Sequence, residues 1–191
     1  MKLIYLHGFN SAPSSRKAQQ VRRHFERWGR LDELDIPALP HRPAEAIQML
    51  CDLVQSSGCT ALMGSSLGGY YATFLAERYR IPAVLINPAV KPYQLLTQHL
   101  GWQTNPYTGH SYELIDAHVS ELTALEIDSL TASLYFLLTR TGDEVLDYRA
   151  AVQRYHGARQ WVIPGGDHGF SDFDPYVEVA LEFCGFKTIP K

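Results

Sequence analysis

Apolar residues along this chain gather in short continuous runs, and between the runs they recur at helical spacing. Residues 3–6, Leu3-Ile4-Tyr5-Leu6, form an unbroken apolar run of strand length. Over 15–28, Ala18, Val21, Phe25 and Trp28 fall at i, i+3, i+7 and i+10, which is one face of a helix. A short strand is predicted near Leu34-Asp35-Ile36. Pro43 opens a second helix with Ala44, Ile47, Leu50, Cys51 and Val54 on one face, and Gly58 ends it. The runs at 59–63, 82–87, 133–139 and 159–163 read as further strands. Helical periodicity covers 67–79. It returns with Tyr148, Ala151, Val152 and Tyr155 before Gly157, and again after Asp174-Pro175 with Val177, Ala180, Leu181 and Cys184.

Alternating strands and helices predict an α/β fold: a mostly parallel sheet of about six strands with helices on both faces. The whole of 1–191 reads as one domain. One segment, 88–132, breaks the rhythm. It is too long for a single crossover helix and is rich in Tyr, Leu, His and Thr. It is expected to be a small, mainly helical insertion with a turn at Asn105-Pro106-Tyr107-Thr108-Gly109. An insertion after a strand's carboxyl end lies over the edge where such sheets bind ligands, so it is a candidate cap; the alternative is a crossover that only packs. Leu95, Leu96, Leu100, Trp102 and Tyr107 give it apolar surface to offer an apolar ligand.

Composition narrows the class. Hydrophobic residues make up 46% and charged residues 19%, an ordinary globular balance. A net charge of −3 offers no basic footprint for nucleic acid. No apolar run reaches the ~18 residues of a membrane span. The N-terminal run breaks at His7-Gly8 with no small-residue cleavage site, so it does not read as a signal peptide. Cys51, Cys59 and Cys184 are odd in number and lack C-x-x-C spacing, which suits reduced packing residues in a cytoplasmic protein.

The stretch with chemical content is Gly64-Ser65-Ser66-Leu67-Gly68, a G-x-S-x-G between a predicted strand and a predicted helix. That is the context of a nucleophile elbow, which lifts the serine hydroxyl to the top of a sheet at a helix N-terminus. The motif alone is weak, since a tight turn can hold a serine for no catalytic reason. Two other strand ends add to it. Thr141-Gly142-Asp143-Glu144 follows one strand with an acid, and Gly165-Gly166-Asp167-His168-Gly169 follows the last with a histidine. Ser66, Asp143 and His168 stand in the chain order of a Ser-Asp-His triad. Serine needs a base within reach and a third group to hold that base, and those are the roles read for His168 and Asp143. Glu144 and Asp147 compete for the third role; Asp147 sits in a helix's first turn, where an acid is favoured without catalysis. Backbone N–H groups of Leu67 and Phe9 are the candidate oxyanion donors, the latter after the turn at Gly8.

Other residues carry two readings each. His7 is expected to brace the Gly8 loop. Asn10 either orients that loop and meets substrate or simply forms a turn before Pro13. One of Tyr70 and Tyr71 can line the pocket, and we take Tyr70 with Tyr107 as substrate-binding; core packing is the alternative. Arg16 and Lys17 lie near the site edge and could meet an anionic leaving group, or belong to a solvated helix face. His99, His110 and His118 lack metal-ligand spacing, so no metal is assigned.

Several longer strings carry a resemblance: residues 6–11 (Leu-His-Gly-Phe-Asn-Ser), 64–72, Asn87-Pro88-Ala89-Val90, 105–109 and 141–148. By these the chain resembles the α/β-hydrolase family, and within it the small bacterial YqiA-like esterases, over nearly its full length. The resemblance implies a compact hydrolase fold and esterase activity, with Ser66, Asp143 and His168 at the matching positions. The expected activity is hydrolysis of carboxylic esters of short-to-medium acyl chains, extending to acyl-CoA thioesters, through an acyl-enzyme and without cofactor. The expected partners are a small-molecule ester or thioester and, at most, copies of itself. An acyltransferase or perhydrolase, an amidase, and a non-catalytic hydrolase-like binding module remain as alternatives.

Overall fold

In the computed structural model, residues 1–187 are described. The apolar runs become strands of one parallel sheet: β1 (Leu3–Leu6), β2 (Leu34–Asp35), β3 (Ala61–Ser65), β4 (Ala83–Ile86), β7 (Tyr135–Arg140) and β8 (Arg159–Ile163). Their order across the sheet is β2-β1-β3-β4-β7-β8, and every pairing is parallel. The central strands β1, β3, β4 and β7 are buried at every position, which explains their unbroken apolar character. Edge strand β8 is half exposed, and edge strand β2 is only two residues long.

Alternation along each strand splits the core in two. Ile4, Leu6, Leu62, Leu85 and Leu137 face one layer, built on α2 (Pro43–Ser57), α3 (Leu67–Tyr79) and α6 (Tyr148–Arg154). Leu3, Tyr5, Met63, Val84, Ile86, Phe136 and Leu138 face the other, built on α1 (Arg16–Arg27) and α7 (Val177–Phe183). The predicted face of α1 is the buried one, with Ala18, Val21 and Phe25 fully covered. Pro43 occupies the first turn of α2, and Gly58 ends it in the left-handed region at φ 67°. The expected strand at 59–63 begins two residues later, at Ala61.

Segment 88–132 is more than helical. It holds α4 (Pro92–Leu96), a 3-10 turn and α5 (Asp116–Thr123), and between them an antiparallel hairpin of β5 (Gly101–Thr104) and β6 (Ser111–Leu114). The predicted 105–109 turn closes this hairpin. The Asn105 side-chain oxygen accepts from Tyr107 N–H (2.9 Å), and the Asn105 carbonyl accepts from Gly109 N–H (2.8 Å) with Gly109 at φ 70°. Strands of four residues with only one buried face leave too short an alternation for periodicity to detect.

Among the described residues, no helix is long and apolar enough to cross a membrane.

Candidate active site

Ser66 occupies the turn from β3 into α3 with φ 54° and ψ −122°. Holding a non-glycine residue there costs on the order of 1–3 kcal/mol, which the surrounding packing must offset. The neighbouring glycines explain how the turn fits. A Cβ on Gly68 would lie 2.1 Å from the Leu6 carbonyl oxygen, and one on Gly64 would lie 2.3 Å from the Gly68 carbonyl oxygen. Backbone passes against backbone at both positions, so no side chain is tolerated. Ser66 itself is pinned at both ends. Its N–H donates to Ile86 carbonyl (3.1 Å), and its carbonyl accepts from Gly69 (2.9 Å) and Ala89 (3.1 Å).

His168 Nε2 lies 3.1 Å from Ser66 Oγ, and His168 Nδ1 lies 2.8 Å from Asp143 Oδ2. A carboxylate only accepts, so Nδ1 carries the proton and Nε2 is left to accept from the serine hydroxyl. The Asp143 side chain is 1% exposed. Burial alone would push its carboxyl up. The His168 ring and the N–H groups of Leu146 and Val145, which donate to its other oxygen at 2.8 and 2.9 Å, outweigh this and hold it below its usual value. The three neighbouring acids do different things. Glu144 accepts from the His168 backbone N–H (3.0 Å), and Asp147 caps α6 by accepting from Arg149 N–H (3.0 Å).

Gly8 packs directly on the serine: a Cβ there would lie 3.1 Å from Ser66 Cβ and 3.6 Å from Oγ. This brings the Phe9 backbone to the same cleft. Leu67 is the first residue of α3, so its N–H has no intrahelical acceptor. His7 braces this loop. It is buried, its Nδ1 donates to Gly8 carbonyl (3.1 Å), and its Nε2 accepts from Leu39 N–H (3.2 Å). Burial lowers its pKa.

Asn10 sits in a turn at φ 47°, and its side chain is tied to the hairpin. Its Oδ1 accepts from Tyr112 hydroxyl (2.8 Å), and its Nδ2 donates to Gln103 Oε1 (3.3 Å). Asn105 Nδ2 adds a third link, to Ser11 carbonyl (2.9 Å). Tyr107, half exposed, lines the cleft beside Ser66. Tyr70 does not reach it. Its hydroxyl donates to Leu122 carbonyl (2.9 Å) in the buried layer beneath the insertion, and Tyr71, one residue round the helix, faces a cavity instead. The expected apolar cap surface also disperses. Leu96 is buried in the core, Leu95 faces a separate groove, and Leu100 and Trp102 are exposed. Tyr107 is the one of the five that borders the serine cleft.

Two residues hold the histidine loop: Asn87, for which the sequence predicts no role, and Lys17, which it places against a leaving group or on a solvated helix face. Asn87, at the end of β4 with φ 41°, donates from Nδ2 to the carbonyls of Asp167 and His168, both at 3.1 Å. Its Oδ1 accepts from Arg140 N–H (2.9 Å). Lys17 Nζ donates to Gly169 carbonyl (2.7 Å) and, more weakly, to His168 carbonyl (3.4 Å). Lys17 is thus committed to backbone, and Arg16 is left as the exposed cation at the cleft. A polar residue before Pro88 at a strand end was the available signal for Asn87, because asparagine tolerates positive φ.

His110 and His118 gather with His41 around Tyr112. The His41 ring stacks on Tyr112 at 4.2 Å, and the His110 and His118 rings lie 5.7 and 5.8 Å from it. Among the described residues, no group of three His, Cys, Asp or Glu side chains could hold a metal ion.

The sequence pattern of the family described as "Uncharacterised protein family (UPF0227)" matches residues 2–185. Solved structures share the architecture. Est1E from Butyrivibrio proteoclasticus, in a structure with ferulic acid bound, superposes with a TM-score of 0.72 at 17% identity, covering 96% of this chain and 88% of that one. Mouse alpha/beta hydrolase domain-containing protein 10 gives 0.67 at 16%, covering 96% and 87%. A monoacylglycerol lipase from Paleococcus ferrophilus gives 0.63 at 13%, covering 96% and 93%. The chain therefore belongs to the UPF0227 family, the YqiA-like group, and has the α/β-hydrolase fold.

Proposed function

We propose that this protein is a cytoplasmic serine hydrolase that cleaves carboxylic esters of short-to-medium acyl chains. The observation that carries this reading is the continuous relay from Asp143 through His168 to Ser66, at 2.8 and 3.1 Å, on a strained turn at a helix N-terminus. Ser66 Oγ attacks the acyl carbon while His168 Nε2 takes its proton. Asp143 keeps the imidazole in the required tautomer and stabilises the imidazolium. The Phe9 and Leu67 N–H groups receive the oxyanion of the tetrahedral intermediate, a type of contact worth about 10²–10³ in rate per donor. His168 then protonates the departing alkoxide. Water repeats the sequence on the acyl-enzyme, releasing the acid and restoring Ser66. Segment 88–132 serves as the cap over this cleft, with Asn10 and Tyr107 at the substrate. The ferulic acid bound to Est1E and the monoacylglycerol lipase among the structural neighbours are in keeping with ester chemistry on this fold.

Arg16, exposed at the cleft, favours extension to acyl thioesters with an anionic leaving group.

The test is turnover of chromogenic esters from acetyl to dodecanoyl by the purified protein and by Ser66→Ala. Hydrolysis that falls by at least about 10³ in Ser66→Ala is expected. Absence of hydrolysis, or equal rates in the variant, overturns the proposal.

A further inference from the structure

The cleft has two lobes of opposite character, joined along the strip His7–Ser11. One, of about 450 Å³, is lined by Ser66 and His168 and carries the charged side chains Arg16, Lys17 and Asp167. The other, of about 240 Å³, lies across the Gly8–Phe9 loop. Its floor is Leu67 and Tyr71 of α3, its far wall is Leu39 and Pro40 from the loop after β2, and Tyr112 and His110 of the hairpin close it. None of the residues lining this second lobe is Asp, Glu, Lys or Arg.

Reaction geometry distinguishes the lobes. The leaving oxygen must receive its proton from His168 Nε2, so the leaving group lies in the lobe that His168 lines. The carbonyl oxygen points at the Phe9 and Leu67 N–H groups. The remaining substituent on the tetrahedral carbon, the acyl chain, must then extend away from His168. Phe9 borders both lobes, Leu67 borders only the second, and His168 borders only the first. The titratable side chains of the second lobe are His7, His41, His110, Tyr71 and Tyr112, so an ionised acyl group entering it would lose hydration with no permanently charged side chain to replace it.

Resting on the esterase reading above, we propose that the lobe formed by Leu39, Tyr71, Tyr112 and His110 is the acyl subsite, and that it selects compact, uncharged acyl groups. The wall supplied by the hairpin makes 88–132 a determinant of acyl size, through Tyr112 and His110 rather than through the leucines of the same segment.

The experiment measures kcat/KM for chromogenic esters from acetyl to dodecanoyl. It adds one ester whose six-carbon acyl chain ends in a free carboxylate and its neutral methyl-capped counterpart. Ala38 and Thr108 both line the lobe from exposed positions, so Ala38→Phe and Thr108→Phe fill it from opposite walls without burdening the core. In the wild type, kcat/KM should climb to about the octanoyl ester and then level off, each buried methylene being worth roughly fourfold at most. The carboxylate-ended ester should be cleaved at least tenfold more slowly than its neutral counterpart. Each Phe variant should lower the octanoyl-to-acetyl ratio at least tenfold, the loss falling on octanoyl kcat/KM while acetyl ester is still turned over. An unchanged ratio in both variants, or a preference for the carboxylate, overturns the subsite assignment while acetyl turnover leaves the esterase reading intact. Absence of wild-type turnover on every ester removes both.

Discussion

At the scale of single residues, three carboxylates lie near His168, and one of them contacts its ring. Asp143 is buried and bonded to the imidazole, Glu144 holds the loop's backbone, and Asp147 caps a helix. Asp143→Asn should lower kcat by up to ~10⁴ by favouring the wrong histidine tautomer. Asp147→Asn should leave both activity and stability near wild type, since asparagine caps almost as well as aspartate. Steady-state kinetics and urea melts of the two variants check this, and a reversed order would identify the wrong acid. Lys17 gives a prediction of a different kind. Burial pulls its pKa down, against the opposing pull of Asp167 and Asp143, to about 8. Between about pH 8 and the ordinary lysine value of ~10.4, the native state sheds a proton that the unfolded chain keeps. The unfolded state then binds more protons, so the unfolding free energy rises with pH across that window. Below it both states are protonated and the contribution is flat. Wild type should therefore gain stability relative to Lys17→Met on going from pH 7.5 to 10, as read by urea midpoints. A constant difference would mean that this ammonium is not desolvated.

At the scale of elements, most of the sheet was legible because each central strand is buried on both faces and so reads as a plain apolar run. Helix α3 matches its expected span, since its start is marked by the elbow. The convergence of Ser66, Asp143 and His168 was legible for a related reason: glycines must flank a turn this tight, and strand ends are where an acid and a histidine can converge. The hairpin was not legible, because four-residue strands with one wet face carry too little alternation. Its importance was hidden with it. Asn10 could be read as a turn residue or a loop-orienting one, but its partners Tyr112 and Gln103 lie about a hundred positions away and leave no local trace. The Tyr70 expectation failed through helical phase, which a one-residue ambiguity cannot resolve. The hairpin's hydrogen bonds give an element-level prediction. Tyr112→Phe removes the hydroxyl that fixes Asn10 and loosens the loop bearing the Phe9 N–H, at the ~0.5–1.5 kcal/mol of one hydrogen bond. On acetyl ester, whose acyl group is too small to fill the uncharged lobe, kcat should fall up to about tenfold with KM unchanged. A change in KM alone would assign Tyr112 to binding and not to the loop.

At the scale of the molecule, one sheet edge gathers the strand-end residues of the candidate site. The carboxyl ends of β1, β3, β4, β7 and β8 deliver Gly8–Phe9, Ser66, Asn87, Asp143 and His168 in turn. Parallel strands make this convergence unavoidable, since all their ends point one way. The charged and uncharged lobes flank that line of strand ends, and the insertion borders both. On the reading proposed above, this convergence makes Ser66, and no other serine, nucleophilic. The most direct measurement is labelling of the intact protein with a fluorophosphonate, followed by peptide mass mapping, in wild type and in His168→Ala. A single adduct on Ser66 is expected in the wild type, formed at least about 10²-fold more slowly without the His168 base. An adduct on the neighbouring Ser65, or no adduct on the folded wild-type protein, would contradict it.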